Sequence, residues 1–351
     1  MVQKWSEITY VKNSYEKKLD VLHYFYLRSV LERVVPSKKF HGNGKLMLFG
    51  EYAVLDGARS LAIPTKRGQS MEVKPHRGSD LIWECYDHNG ELWFEAQISL
   101  YDFSSIRTSD EATSKHIQKL LKGAVRYNTE FLNNWNGFKV IHRLDFPRNW
   151  GLGSSSTVIY NLASWADVNP FHLHFFTSNG SGYDIACAGA EGPLVYQVTD
   201  DELSYTEIDF APHFIDNLYF IHLGKKQSSP EGIKHFMKSA KGRKSLANKI
   251  TALTDRAIQA TKLDEFQAIM DEHEELLSGA LQMPTAKSQY FNDFEGSIKS
   301  LGAWGGDFIM AATTMTSAEV ISYFRDLDYS DIYSYNEMSL AAAPATAAVR
   351  A

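Results

Sequence analysis

The chain has 351 residues, and a length of this order predicts two domains rather than one core. Its formal net charge of −6 gives no electrostatic reason to expect nucleic acid or an anionic membrane surface as a partner. The two cysteines, Cys85 and Cys187, stand at no metal-ligand spacing, no apolar run is long enough to span a bilayer, and the N-terminus lacks a signal-peptide core, so we expect a cytoplasmic protein.

The N-terminal residues 1–37 form a charged segment whose apolar middle favours a helix within 21–34, and we assign this extension no chemistry. Two short apolar runs, Leu46–Phe49 and Ala53–Leu55, then predict buried strand or strand-turn pieces. Lys45 and Glu51 lie within this apolar stretch. Buried charges need partners, so these two residues are candidates for a functional site, with a salt bridge between them as the alternative.

The next elements lead to a turn. Residues 81–98 predict a hairpin that turns at Asp87–Gly90. Apolar residues from Ile117 to Leu132 recur at helical spacing. Phe138–Leu144 predicts a strand, and Val158–Ala166 predicts a helix that stops before Pro170.

A turn rich in glycine and serine joins that strand to that helix, with the sequence Gly151-Leu152-Gly153-Ser154-Ser155-Ser156-Thr157. Its glycines allow close approach of a ligand, and its serines leave the first helical N–H groups pointing outward. The positive end of the helix dipole favours an anion there, so the turn predicts a phosphate site. An ordinary serine-rich helix start is the alternative.

A second stretch of small residues, Asn179–Gly189, surrounds one carboxylate, Asp184. Small neighbours let a substrate approach, and the carboxylate could accept its proton or a hydrogen bond. The alternative is an Asp helix cap in a glycine turn. Pro193–Val198 then predicts a strand, and the acidic run Thr199–Glu202 is the candidate domain boundary.

The second half opens with a predicted strand, Leu218–Gly224. Helical patterns cover Pro230–Lys238, Leu246–Lys262, Glu265–Leu281 and Ala286–Leu301. The glycine-rich turn Gly302-Ala303-Trp304-Gly305-Gly306 then leads into a strand, Asp307–Ala312. This turn favours a backbone contact with a ligand, with close helix-to-strand packing as the alternative. The tail from Leu340 onward has low complexity and is predicted to be disordered.

Three of these segments, in this order, resemble the signature motifs of the GHMP kinases, the family of galactokinase, homoserine kinase, mevalonate kinase and phosphomevalonate kinase. Gly44–Leu55 is similar to the first motif, Gly151–Ser156 to the phosphate-binding second and Gly302–Gly306 to the third. The ordered set is highly specific. The string Gly182-Tyr183-Asp184-Ile185-Ala186 resembles the hallmark of a bacterial subgroup.

The resemblance implies an α+β fold of two domains. A ribosomal protein S5 domain 2-like domain would occupy residues 38–205 and a ferredoxin-like domain residues 206–338, before the tail at 339–351. The activity implied is that of an enzyme that transfers the γ-phosphoryl group of ATP, with Mg²⁺, to a small molecule bound between the domains.

The resemblance also implies roles for single residues. The second motif would wrap the ATP phosphates, with the Ser155 hydroxyl on Mg²⁺, and the third would contact the nucleotide through Gly305 and Gly306. Asp184 matches the aspartate that accepts or orients the acceptor proton, and Lys45 would keep Asp184 ionised and stabilise the transferred phosphoryl group. The residues that would orient the substrate or the loops around it are Glu51, Gly182, Tyr183 and Trp304.

Two features depart from the family pattern. Mevalonate kinases carry a glutamate shortly before the catalytic aspartate as a second Mg²⁺ ligand, and residues 169–183 contain no acidic residue. Trp304 stands where the third motif usually has a small residue, so it either covers the acceptor or tightens the turn.

The acceptor is predicted from the wording of the motifs. Gly50–Gly57 is most similar to the mevalonate and phosphomevalonate kinases, and residues 182–186 lean toward the latter. A phosphorylated acceptor needs an extra cation, for which Lys225, Lys226 and Arg148 are candidates, with plain surface charge as the alternative. A sugar or homoserine kinase, a non-catalytic ligand-binding relative and a homodimeric assembly are left open.

Overall fold

The computed structural model describes residues 37–134, 136–199, 202–225 and 229–340. They form a mixed α and β fold, as the sequence predicts, with one sheet of eight strands and another of four. The helix predicted within 21–34 and the tail residues 341–351 lie outside the described residues. No helix in the described part is long and apolar enough to cross a membrane.

The first half supplies the large sheet and the helices that cover it. Its strands are β1 (Lys38–Phe49), β2 (Ser60–His76), β3 (Asp80–Tyr86), β4 (Leu92–Ser99), β5 (Ser105–Thr108), β6 (Gly137–Leu144), β7 (Leu194–Val198) and β8 (Leu203–Glu207). Its helices are α1 (Glu111–Tyr127), α2 (Ser154–Ala166), α3 (Pro170–Thr177) and α4 (Tyr183–Gly189). The hairpin predicted within 81–98 is confirmed as β3 and β4.

The second half supplies the small sheet. Its strands are β9 (Leu218–His222), β10 (Ser297–Leu301), β11 (Phe308–Ala312) and β12 (Ile332–Ser334). Its helices are α5 (Ser229–Ser239), α6 (Arg243–Gln259), α7 (Leu263–Leu281), α8 (Ala286–Tyr290), α9 (Ser317–Asp326) and α10 (Tyr335–Met338).

The long strand β2 organises the large sheet. The strand order is β5-β4-β3-β6-β2-β7-β8, and β1 pairs with β2 outside this path. Along β2, residues 69–76 pair with β6 and residues 60–62 with β7. The β1 partner of Pro64 is Lys45, so β2 fixes the position of that lysine along the sheet.

One hydrophobic core joins the two sheets. Leu48 and Phe49 of β1 belong to the same buried cluster as Phe220 of β9 and Met310 of β11. A second cluster packs α1 and α2 against the outer strands of the large sheet. The first motif therefore begins on a strand whose end is buried in the core that both halves of the chain form.

The helix predicted over Ala286–Leu301 is wrong. Helix α8 ends at Tyr290, and β10 instead forms an antiparallel hairpin with β11. The error has a physical cause, because four buried apolar residues recur at helical spacing here: Phe291, Phe294, Ile298 and Leu301. Gly296 interrupts a continuous helix over this segment, because its φ is 144°. A Cβ built on Gly296 would lie 2.3 Å from the Ala312 carbonyl oxygen.

Three smaller differences concern segment ends. Residues 53–55, predicted to be a strand or strand-turn piece, lie in a short 3-10 helix, Ala53–Asp56. Strand β8 pairs with β7 as far as Glu207, so the boundary predicted after residue 205 falls inside a strand. The tail predicted from residue 339 starts within the fold, because Thr65 bridges to Ser339 and the Leu340 N–H donates to the Pro64 carbonyl.

Candidate active site

The glycine- and serine-rich turn opens directly into helix α2. Gly151 and Gly153 have φ values of 66° and 89°, which glycine adopts without strain. Helix α2 begins at Ser154, and no side chain caps its start. Its first N–H groups are therefore available to an anion, which the helix dipole favours. Within the turn Leu152 is fully buried, the Ser155 side chain is exposed and the Ser156 side chain is buried.

Lys45 runs along this turn from the first motif. Its backbone N–H donates to the Leu152 carbonyl oxygen at 3.1 Å. Its side chain passes Gly153, where a built Cβ would lie 3.3 Å from the lysine Cγ. The first two motifs are therefore in direct contact, as a shared phosphate site requires.

Asp184 enters the same place from helix α4. The Ser156 hydroxyl donates a hydrogen bond to its Oδ2, so the last serine of the turn orients the half-buried carboxylate. Gly182, the residue before the helix, has a φ of 86° and lies close to the Tyr196 hydroxyl. The sequence singled out Ser155 in this turn, whereas the structure places Ser156 against the aspartate.

The charge on Lys45 is held by its surroundings. The side chain is only 9% exposed, and its Nζ lies 5.6 Å from the centre of the Tyr183 ring. Burial alone would lower the lysine pKa, but the Tyr183 oxygen and the carboxylates of Asp307 and Asp184 outweigh it and raise that pKa. Burial also raises the pKa of Tyr183 to about 12. Lys45 is therefore an ammonium beside a neutral phenol at neutral pH.

Glu51 pairs with the second half of the chain and not with Lys45. Its Oε1 lies 2.7 Å from Lys299 Nζ, and its Oε2 lies 3.5 Å from His273 Nε2. The Gly50 N–H donates to the same His273 nitrogen at 3.1 Å. Burial raises the pKa of Glu51, and Lys299 opposes that shift. Glu51 thus anchors the first-motif turn to β10, and the Gly50 N–H links the same turn to α7.

The third motif forms the tight turn between β10 and β11. Its Trp304 N–H donates to the Tyr52 hydroxyl at 2.8 Å, and the buried indole Nε1 donates to the Pro284 carbonyl at 3.0 Å. These contacts support the interpretation in which Trp304 tightens the turn. In the same turn the Gly306 N–H donates to Ala303, while a Cβ built on Gly305 would enter open space.

One site residue was missed by the sequence analysis, which treated Asp307 only as the start of a strand. Its side chain is 5% exposed, and its carboxylate lies against Gly151. A buried acid directly after a glycine-rich turn was the available signal. Asp307 brings the third motif to the second.

The cations considered for a phosphorylated acceptor lie in different places. The Arg148 guanidinium is 3.6 Å from the centre of the Trp93 ring, which it covers. Lys225 is exposed, with its Nζ 5.6 Å from the centre of the Tyr290 ring. Lys226 lies outside the described residues.

The donor atoms suit a nucleotide with Mg²⁺. The uncapped start of α2 suits phosphates, and the oxygens of Ser155, Asp184 and Asp307 are of the kind that Mg²⁺ binds. The described residues contain no group of three or more His, Cys, Asp or Glu side chains that could hold a metal alone. The phosphates would therefore have to supply some of the ligands of a bound Mg²⁺ ion.

The fold is that of the GHMP kinases, which confirms the resemblance found in the sequence. No protein-family model and no curated protein matches the chain. Solved structures do match. A mevalonate kinase from Methanococcus jannaschii superposes with a TM-score of 0.63 at 17% identity, over 86% of this chain and 98% of that one.

Two further structures show how wide the similarity is. Streptococcus pneumoniae phosphomevalonate kinase, solved with phosphomevalonate and AMPPNP, gives a TM-score of 0.62 at 18% identity, covering 83% of this chain and 96% of that one. Lactococcus lactis galactokinase, solved with galactose, gives 0.64 at 13% identity, covering 87% and 92%. Structural matches at identities this low establish the fold alone. The identity of the acceptor has to be argued from the residues of the site.

Proposed function

We propose that this protein is an ATP-dependent phosphotransferase of the GHMP kinase type. The observation that carries the proposal is the meeting of Lys45, Ser156 and Asp184 beside the uncapped start of α2. An anion site, a fixed ammonium and an oriented carboxylate are the parts that phosphoryl transfer requires.

In this proposal each residue has one task. The N–H groups at the start of α2 would bind the ATP phosphates, and Ser155 would contribute a hydroxyl to a Mg²⁺ ion, which would supply positive charge to neutralise them. For a hydroxyl acceptor such as mevalonate, Asp184, oriented by Ser156, accepts the hydroxyl proton as the acceptor oxygen bonds to the γ-phosphorus. The bond from that phosphorus to the bridging oxygen breaks, and ADP leaves. Lys45 stabilises the charge on the transferred group.

We propose mevalonate or phosphomevalonate as the acceptor, because the first motif and residues 182–186 are most similar to kinases of these two compounds. The pneumococcal neighbour holds phosphomevalonate, which agrees with this choice. A sugar is the second candidate, since the galactokinase neighbour matches the fold equally well.

The two sheets support a two-domain description. We propose that the large sheet with α1–α4 is the S5-like domain and that the small sheet with α5–α10 is the ferredoxin-like one. Since β8 belongs to the large sheet through Glu207, we place the boundary between β8 and β9.

The test is an ATP-consumption assay with Mg²⁺ and a panel of mevalonate, phosphomevalonate, homoserine, galactose and related sugars. Asp184→Asn keeps the shape and removes the proton acceptor, so it should abolish turnover while ATP still binds. The matched control is Asp293→Asn, an exposed aspartate that accepts a hydrogen bond from Tyr323. Unchanged turnover in Asp184→Asn would overturn the role of Asp184, and ATP binding without any turnover would favour a non-catalytic relative.

A further inference from the structure

A buried carboxylate lies against the phosphate-binding turn. Asp307 is 5% exposed, and a Cβ built on Gly151 would lie 2.5 Å from its Cγ and its Oδ2. A Cβ built on Gly302 would lie 3.2 Å from the same Oδ2. The Asp307 side chain therefore fills the space between the second and third motifs, and glycine on both sides makes room for it.

The backbone holds Asp307 in this place. Its φ of 53° lies in the left-handed region, which Asp adopts more readily than most residues. Its N–H donates to the Lys225 carbonyl at 2.9 Å, and its own carbonyl accepts from the Leu223 N–H at 2.8 Å. The Asp307 backbone is thus held between the start of β11 and the residues that follow β9, and its buried side chain is not a surface charge.

A negative charge at this position opposes an anionic ligand. The start of α2 attracts phosphate, but a carboxylate beside Gly151 repels it at short range and through little water. Lys45 acts as counter-charge to both Asp307 and Asp184.

A divalent cation removes the conflict. Mg²⁺ is commonly bound by one or two carboxylates together with substrate phosphates. Residues 169–183 supply no acidic side chain for this purpose, whereas Asp307 approaches the turn from the opposite half of the chain. A cation on the phosphates would convert the repulsion by Asp307 into attraction.

We propose that Asp307 makes this cleft select the Mg²⁺ complex of a nucleotide and reject the metal-free nucleotide. The inference rests on the proposed kinase function. In it Asp307 is a specificity-determining residue that faces the cation, separate from Asp184, which faces the acceptor.

The test is calorimetric titration of ATP, once with excess Mg²⁺ and once with EDTA, into the full chain and its Asp307→Asn variant. Asparagine keeps the shape and tolerates the positive φ. We expect the wild type to prefer MgATP, and we expect Asp307→Asn to bind metal-free ATP about tenfold more tightly than the wild type does, which is the loss of about 1.4 kcal/mol of repulsion. Asp293→Asn, which removes an exposed charge from the same half, should keep the wild-type preference.

The outcomes separate the two proposals. A wild type that prefers MgATP and a folded Asp307→Asn with the same preference would overturn the role of Asp307 and leave the kinase proposal standing. A wild type that binds neither form of ATP would overturn both. If thermal melting shows Asp307→Asn to be unfolded, Asp307→Gly removes the same charge at the same φ. Water-proton relaxation with Mn²⁺ and ADP gives a second readout, in which the variant should hold the metal more weakly.

Discussion

Lys299 Nζ lies 2.7 Å from Glu51 Oε1, although the two residues stand 248 positions apart in the chain. The exposed fractions of the two side chains are 0% and 4%. Glu51 belongs to the first-motif turn, and Lys299 lies three residues before the first residue of the third motif, Gly302. The ion pair therefore ties two of the three motifs together behind the candidate active site.

We predict that Lys299→Met lowers the free energy of unfolding by about 3–5 kcal/mol, because it leaves the Glu51 carboxylate buried without a counter-charge. Adding Glu51→Gln should restore part of the loss. Urea unfolding at neutral pH measures both. The control is Arg256→Gln, which removes an exposed pair with Glu272 and should cost less than about 1 kcal/mol. Equal losses of unfolding free energy in Lys299→Met and Arg256→Gln would contradict the prediction.

Ser155 and Ser156 should fail in different ways when each is replaced by alanine. Ser156→Ala removes the hydrogen bond to Asp184 and should lower kcat about 10- to 100-fold with little change in the Mg²⁺ concentration required. Ser155→Ala should instead raise the Mg²⁺ concentration required. Steady-state assays over a Mg²⁺ series distinguish the two. The same Mg²⁺ dependence in both variants would show that the assignment of the serines is wrong.

Gly151→Ala should destabilise the fold by more than its positive φ alone explains. A left-handed conformation costs a residue other than glycine about 1–2 kcal/mol, and a Cβ here would also overlap the Asp307 carboxylate. Gly90→Ala is the matched control, since Gly90 has a φ of 82° and nothing within 4 Å of a built Cβ. Adding Asp307→Gly to Gly151→Ala should remove the excess. Thermal or urea unfolding that ranks both alanine variants equally would argue against the contact.

His142 should make the fold sensitive to acid. It is fully buried, its ring stacks on Trp83 at 4.8 Å between ring centres, and neither ring nitrogen has a hydrogen-bond partner. Burial lowers its pKa from 6.5 to about 3. As the pH falls from 6.5 toward 3, the His142 imidazole becomes protonated in the unfolded chain but stays neutral in the folded protein. Stability is therefore lost across this window, by on the order of 3 kcal/mol at pH 4.

His142→Phe keeps the stacked ring and removes both unpaired nitrogens, so it should be neutral or stabilising at pH 7 and should flatten the pH dependence below 6.5. Urea unfolding at pH 7, 5.5 and 4 measures the change in slope. His88→Ala, in the exposed turn between β3 and β4, should leave the slope as in the wild type. A wild-type slope in His142→Phe would refute the assignment.

The parts of the site that sequence predicts are those encoded locally. The turn at Gly151–Ser156 carries its glycines, serines and following helix within a few residues, and its placement at the start of α2 is as predicted. The same holds for Gly182 and Asp184 at the start of α4. Local backbone needs and side-chain chemistry coincide in these segments, so the order of the chain is enough to find them.

Contacts between residues that lie far apart in the chain could not be predicted from local sequence. Nothing near Glu51 in sequence indicates Lys299, because the pairing depends on how β10 packs behind the first motif. Asp307 follows a glycine-rich turn in the sequence, but its contact with Gly151 became visible only when β11 was placed beside the phosphate turn. The helix predicted over Ala286–Leu301 fails for a related reason, since apolar residues at helical spacing can equally belong to a short helix followed by a buried strand.

The core that Leu48 and Phe49 share with Phe220 and Met310 limits how the molecule can be divided. A gene cut between β8 and β9 would encode two fragments, each with an open apolar face where the other half belongs. Such fragments should aggregate when they are produced separately, and complementation by co-expression is the route by which they could regain the fold.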